Sequence, residues 1–491
     1  MIKNNQEITK QSGGVTRRDI VIIAIVVAGA FVAILNQTIL SPALPKLMET
    51  FHITAGKAQW VTTIYMLVNG IMVPITAYLI DRFPTRKLFM TSMIVFMVGT
   101  ALVVVAPNFS VLIMARILQA MGAGVQLPLV AVVPMLIFPR EKRGTAMGMA
   151  GIVMSCAPAA GPVVAGWAID AFGWRSIFIG MLPLAFLVLV FSMLFLTNVG
   201  TLKHPHLDLI SVVLSTFAFG GLLYGLSSAS TKGWASALVI APLLIGVVAL
   251  VCFIKRQLTL KEPLLELKVL KTKTFTYSAI MNTIINSALA AGSILLPIYL
   301  QNIMGFSAFI TGMLMMPGAA ITIFMSPISG LLFDHFGPRG ISILGLTSLT
   351  VATAGLAIIG TETKIWYLIF IYILQSFGLS LANMPINTWG INSLPNDYIS
   401  HGNAISNTGR QVGGSIGTAV IITIMTMVTN ASNAVSPVLA AVSGIRAAYG
   451  TSAGIAAVAL FIAIFKVRGT VQENHKVLEK KEGDEIHAKS N

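Results

Sequence analysis

Acidic residues are scarce in this 491-residue chain, 17 Asp and Glu against 32 Lys and Arg, and none lies in the middle of an apolar segment long enough to cross a bilayer. That absence excludes the intramembrane carboxylate that usually marks a proton path in transporters. Charged residues make up only 10% of the chain and hydrophobic residues 56%, which leaves too little polar surface for a water-soluble protein of this length. Cysteine is nearly missing too. Cys156 and Cys252 stand far apart in apolar segments without CxxC or His-rich neighbours, so the sequence indicates neither a disulfide framework nor a metal centre.

What is present is a series of fourteen apolar windows of bilayer length, near 20–42, 58–80, 88–107, 110–134, 146–169, 174–196, 208–228, 236–254, 274–300, 309–332, 341–360, 365–388, 405–428 and 447–466. With the N-terminus inside, outward loops hold only Lys46, Lys57, Arg175, Lys232, Lys364 and Arg446, and the spans hold Arg116 and Arg410. The remaining 24 of the 32 basic residues face inward. This positive-inside asymmetry gives the expectation that both termini are cytoplasmic. Trp60, Trp174, Trp234 and Trp366 then fall at outer helix ends, where an indole suits the headgroup level. The net charge of +15 belongs to inward loops and a basic tail, so the lipid bilayer is its counterpart and nucleic acid is not. Residues 1–19 form a polar cytoplasmic segment without a cleavable signal, and 467–491 form a polar cytoplasmic tail.

The chain is duplicated. PITAYLIDRF at 74–83 recurs as PISGLLFDHF at 327–336, an offset of 253 that aligns Pro74 with Pro327, Asp81 with Asp334 and Phe83 with Phe336. RGTA at 143–146 recurs as HGNA at 401–404, again at an inward end. The repeat is therefore six spans long, giving bundles over 20–200 and 274–466, two inserted transmembrane helices over 207–255, and a cytoplasmic basic loop over 256–273. The stretch KRQLTLKEPLLELKVLKTK at 255–273 is expected either to lie amphipathically at the inner surface or to be a solvated linker. Repeats of this kind build a binding site where they meet and rock around it.

Several motifs resemble the major facilitator superfamily and, within it, the fourteen-span drug:proton antiporters that include multidrug and lincosamide exporters. Residues 77–88 resemble that superfamily's loop between spans two and three through Asp81, Arg82 and Arg86, with Ala77 and Pro84 replacing glycines. In span four Arg116, Gln119, Gly122 and Gly124 match, with Ala120 in place of a glycine. GIVMSCAPAAGPVVAGW at 151–167 is similar to the antiporter signature and retains Pro158, Gly161, Pro162 and Gly166. Pro395 through His401, and on to Arg410, resembles a further stretch of these exporters and suggests a gate.

The resemblance implies an all-α membrane protein with the major facilitator fold, two six-helix bundles plus two extra linker helices. It implies a secondary active transporter that exports amphipathic drugs or toxic small molecules by alternating access, with protons as coupling ion. A conformational role is implied for Asp81, Arg82, Arg86, Pro158, Gly161, Pro162, Gly166, Asp334, Arg339 and Arg410. A lipid-moving or non-transporting membrane partner, and a metabolite permease, are the other readings. No cofactor, metal or enzymatic motif is indicated, and a monomer is expected.

Span one departs from the pattern. Where family members commonly read LDxT, this chain has Leu35-Asn36-Gln37-Thr38, and neither amide titrates at physiological pH. Arg116, roughly 9 Å from its helix end at 1.5 Å per residue, is expected either to snorkel to the interface or to face a polar cavity, which the resemblance favours. Its charge then needs the amide oxygens of Asn36 and Gln37, a loop acid such as Asp170, or an anionic group of the substrate. Substrate contacts are expected from Asn36, Gln37, Arg116, Gln119 and Met154, with Asn282 and Asn286, and Asn383 and Asn387, as i,i+4 faces that line a cavity or bond helices. Proton carriers are confined to helix ends, at Asp81, Asp170, Asp208, Asp334, Asp397 and His401.

Overall fold

The computed structural model describes residues 16–40, 43–53, 55–58, 60–139, 142–199, 208–306, 308–432 and 436–468. Most of the N-terminal segment and of the tail therefore lies outside the described residues. The long elements are fourteen helices: α1 Arg17–Thr38, α2 Trp60–Arg82, α3 Thr85–Val105, α4 Phe109–Ile137, α5 Arg143–Phe172, α6 Arg175–Phe195, α7 Leu209–Lys232, α8 Ala237–Thr259, α9 Lys273–Ile298, α10 Ala308–Phe336, α11 Pro338–Leu356, α12 Ile365–Asn392, α13 Ile399–Ala431 and α14 Pro437–Lys466. Among the described residues thirteen of them are long and apolar enough to cross a membrane, and α5 contains side chains outside that set. The protein is thus a multi-pass membrane protein, and large apolar side chains such as Phe186, Leu194, Leu244 and Val248 face outward, as lipid contact requires.

Local chemistry sets where helices begin. The Thr16 hydroxyl accepts the Asp19 N–H at 3.3 Å while the Asp19 carboxylate accepts the Thr16 N–H at 3.0 Å, a reciprocal cap at the start of α1. Asn108 caps α4 in one direction only, its Oδ1 accepting the Val111 N–H at 3.0 Å. Between α10 and α11 the chain turns through Gly337 at φ 77°, where a side chain would be strained, and Pro338 then opens α11.

The helices divide into two compact units. Unit 1 comprises Met1–Arg140, Ile152–Lys271 and Leu394–Ser415, and unit 2 comprises Glu141–Gly151, Thr272–Ser393 and Ile416–Asn491. This division departs from the sequence boundaries of 20–200 and 274–466 in a symmetric way. The start of α5, with its RGTA motif, belongs to unit 2, and the start of α13, with HGNA, belongs to unit 1.

Inside each unit the same pairs of helices pack. In unit 1 these are α1 on α4 and α6, α4 on α2 and α3, and α3 on α6; in unit 2 they are α9 on α12 and α14, α12 on α10 and α11, and α11 on α14. The α3–α4 and α11–α12 crossings both rest on glycine. A Cβ on Gly122 would lie 2.5 Å from the Ser92 carbonyl, and one on Gly378 would lie 2.7 Å from the Gly345 carbonyl. Those backbones meet because no side chain separates them.

The inserted hairpin α7–α8 packs on α2, within unit 1. The segment after it is amphipathic rather than fully solvated, with two leucines turned into unit 1 and its lysines outward. Leu264 and Leu265 are buried at 3% exposure in a cluster with Val73, Ala77, Tyr78, Phe253 and Ala404. The basic residues of this loop stay outside while its leucines complete the core, since burying a leucine is worth about 2 kcal/mol. Gln257 fixes the turn, donating to the Ser211 hydroxyl at 2.6 Å and accepting the Leu265 N–H at 3.0 Å. Trp174 also differs from expectation: it is buried at 5% exposure beneath the short helix Leu44–Phe51, donating to the Thr50 hydroxyl at 3.2 Å, whereas Trp366 is 80% exposed.

Candidate functional site

The densest buried polar group of unit 1 is built on Arg116 of α4. The side chain is completely buried. Its Nε donates to the Val61 carbonyl of α2 at 3.2 Å, and its Nη1 donates to Gln119 Oε1 at 2.7 Å. Gln119 lies one turn further along α4, so the two share a helix face, and its Nε2 donates to the Thr100 hydroxyl of α3 at 2.9 Å. The guanidinium stacks 4.3 Å above the Tyr65 ring of α2, and the Tyr65 hydroxyl donates to the Ala33 carbonyl of α1 at 3.0 Å. Four helices are joined through one cation.

Arg116 therefore neither snorkels to an interface nor takes its partners from Asn36 and Gln37. Its hydrogen bonds go to Val61 and Gln119, and Nη2 has no partner among the described residues. Asn36, fully buried, lies beside the Tyr65 hydroxyl, as does Asn69. Both side-chain atoms of Asn36 and Oδ1 of Asn69 lack partners among the described residues. Gln37 is half-buried, and the Asp170 side chain lies outside the described residues. Met154 is half-buried on α5, and no contact among the described residues brings it to this group.

Unit 2 repeats the scaffold with different occupants. Gln375 Nε2 donates to the Thr353 hydroxyl at 3.4 Å, the counterpart of the Gln119–Thr100 bond. The residue three before Gln375 is Tyr372, where unit 1 has Arg116 three before Gln119. Its ring lies 2.4 Å from the point where a Cβ on Gly318 would be, and Gly318 is the residue 253 positions after Tyr65. The asparagines of α9 bond along their own helix: Asn286 Nδ2 donates to the Asn282 carbonyl at 2.8 Å and Asn282 Nδ2 to Ser278 Oγ at 3.4 Å. Ser278, which sequence reasoning passed over, ties α9 to α12 by donating to the Ile386 carbonyl at 2.6 Å. Oδ1 of Asn282, Asn383 and Asn387 is buried without a partner among the described residues.

The two repeated aspartates each reach the start of a long helix, through different partners. In unit 2, Asp334 at the end of α10 accepts the Gly144 and Thr145 N–H groups at 2.9 and 2.8 Å and the Thr145 hydroxyl at 2.5 Å, capping α5. A Cβ on Gly144 would lie 2.7 Å from the Gly330 carbonyl, so glycine permits the approach. In unit 1, Asp81 at the end of α2 accepts from the Ser400 hydroxyl at 2.8 Å and lies 3.3 Å from His401 Nε2, at the start of α13. His401 Nδ1 accepts the Glu266 N–H at 3.2 Å, so the loop after the hairpin reaches this cap.

The other conformational candidates are dispersed. Arg86 donates to the Met193 carbonyl of α6 at 2.5 Å. Arg339 is exposed, and Arg410 donates to Asn407 on its own helix. Gly161 lies against Thr38 of α1, where a side chain would meet the Thr38 hydroxyl, while Pro158, Pro162 and Gly166 are not described at side-chain level. Among the acids named as proton carriers, Asp208 is held by Arg256 through two contacts of 2.5 and 2.8 Å. No cluster of three potential metal ligands occurs among the described residues.

Comparison with known proteins adds the following. The family model described as Major Facilitator Superfamily matches residues 26–418. The uncharacterized MFS-type transporter YcnB of Bacillus subtilis is 45% identical over 442 residues, covering 90% of this chain and 94% of its own. The lincomycin resistance protein LmrB of Listeria monocytogenes is 39% identical over 414 residues, covering 84% and 88%. Among solved structures, the proton:xylose symporter XylE aligns with a TM-score of 0.64 at 13% identity, covering 94% of this chain and 98% of that one.

Proposed function

The chain belongs to the Major Facilitator Superfamily, and from that premise we propose that it exports amphipathic drug-like or toxic small molecules across the plasma membrane, by alternating access and with protons as the coupling ion. The observation that carries the export reading is the 39% identity to a lincomycin resistance protein over most of both chains. The Gly/Pro-rich α5, resting at Gly161 on α1, supports it.

The aspartate caps supply the moving parts of this reading. Asp334 is held by two backbone N–H groups and a hydroxyl at the start of α5, all neutral donors. Protonating such a carboxylate removes the charge that favours a helix N-terminus, by about 1 kcal/mol, enough to shift a two-state equilibrium several-fold. Asp81 reaches the start of α13 through the Ser400 hydroxyl and the His401 imidazole. Coupling then runs through caps at helix ends, in keeping with the absence of Asp and Glu from the middles of the spans.

Accumulation of lincomycin and of a panel of neutral, anionic and cationic amphiphiles, compared in cells with and without expression, tests export. Lower accumulation of some panel members on expression, abolished by collapsing the proton gradient, is the expected result. Unchanged accumulation across the whole panel would exclude drug export, and efflux that survives collapse of the gradient would exclude the coupling ion.

A further inference from the structure

We propose that the Arg116 group is a binding site for one small anionic group, a carboxylate carried on the transported molecule or a free inorganic monoanion, with Arg116 Nη2 and Asn36 Nδ2 as its donors. The proposal rests on the transporter reading above and names what that transporter recognises.

The reasoning begins with charge. Arg116 is completely buried, and its described partners are a carbonyl, an amide oxygen and an aromatic face. None of them carries a negative charge. A buried cation without a counter-charge costs several kcal/mol, which hydrogen bonding alone does not offset. Water could satisfy Nη2 as a donor and would leave the charge uncompensated, whereas an anion supplies both.

Geometry makes the deficit local. The Arg116 guanidinium lies over the Tyr65 ring, and Asn36 and Asn69 lie by the Tyr65 hydroxyl, so unpartnered atoms from three helices of unit 1 surround one tyrosine. Beyond its approach to the Tyr65 hydroxyl, the Asn36 amide has no partner among the described residues, so Nδ2 can turn toward an anion. Tyr65, Gln119 and Thr100 hold the guanidinium in place, leaving Nη2 as the free prong of its fork. The group is closed in this structure, and an anion enters when α1 separates from α2 and α4. Selectivity follows, because a permanently cationic amphiphile meets a fixed like charge.

The test is thermal unfolding of the full-length protein in detergent at constant ionic strength, with benzoate, benzyl alcohol or phenyltrimethylammonium as probes that share one ring and differ in charge. Chloride against sulfate forms a second arm. Benzoate is expected to raise the melting temperature by a few degrees while the cation does not. Stabilisation by chloride as well would place the source in free monoanions, and stabilisation by benzoate alone would place it in the transported molecule.

Two variants keep the test independent of folding. Arg116→Gln is expected to lose the benzoate response. Asn36→Asp, which supplies a carboxylate from within the chain, is expected to lose that response with a melting temperature at or above wild type. No anion-dependent shift in wild type, or equal shifts in wild type and both variants, would overturn the site. If anions fail to bind while expression still lowers drug accumulation, only the anion site falls; if neither is seen, the export reading falls too.

Discussion

The two units share a frame and differ in what it holds. In unit 1 a glutamine–threonine bond between α4 and α3 sits beside an arginine stacked on Tyr65. In unit 2 the same glutamine–threonine bond sits beside Tyr372, whose ring lies against Gly318 in place of a second aromatic residue. Tyr65 with Arg116, and Gly318 with Tyr372, stand at matching positions with different chemistry. One half holds a buried cation, and the other holds a neutral tyrosine at the matching position. Duplication thus preserved the helix contacts, while two positions in each repeat differ in whether they hold a cation.

Breaking the shared bond should expose this asymmetry most strongly. Gln119→Leu leaves Arg116 Nη1 unpaired as well as Nη2, and the loss of a hydrogen bond to a buried charge is expected to cost about 3 kcal/mol. Gln375→Leu removes a neutral bond of 3.4 Å and is expected to cost about 1 kcal/mol. Melting temperatures of the two variants check the ordering, and equal losses would remove the distinction between the halves.

Filling the glycine comes next. Gly318→Ala places a methyl group against the Tyr372 ring and is expected to cost about 1–3 kcal/mol through overpacking, read by the same unfolding measurement. Tyr372→Leu on that background should recover much of the loss if the ring is the obstacle. A smaller effect is expected at the caps. Asp334→Asn and Asp81→Asn should each cost about 1 kcal/mol or less in stability. On the proposed coupling, their transport rates should change more than their melting temperatures.

The frame was legible because periodicity and repetition are written along one chain. The apolar windows gave fourteen helices, the 253-residue offset paired Asp81 with Asp334, and the Arg116–Gln119 spacing placed both on one face of a helix. What sequence did not reveal depends on neighbours from elsewhere in the chain. Tyr65, Thr100 and Val61 reach Arg116 from other helices, and nothing local to them signals a cation. Asn36 was legible only as a departure from a family pattern, and its bonding to Arg116 was not found. The leucines of KEPLLELK looked like part of a basic loop because their burial depends on Val73, Phe253 and Ala404.

The account turns on a buried guanidinium that has no counter-charge among the described residues. A double-mutant cycle between Asn36→Asp and Arg116→Gln, read by thermal unfolding, addresses it directly. Asn36→Asp should raise the melting temperature when Arg116 is present and lower it when residue 116 is glutamine. An equal loss in both backgrounds would contradict the account, because Arg116 would then already have its charge compensated.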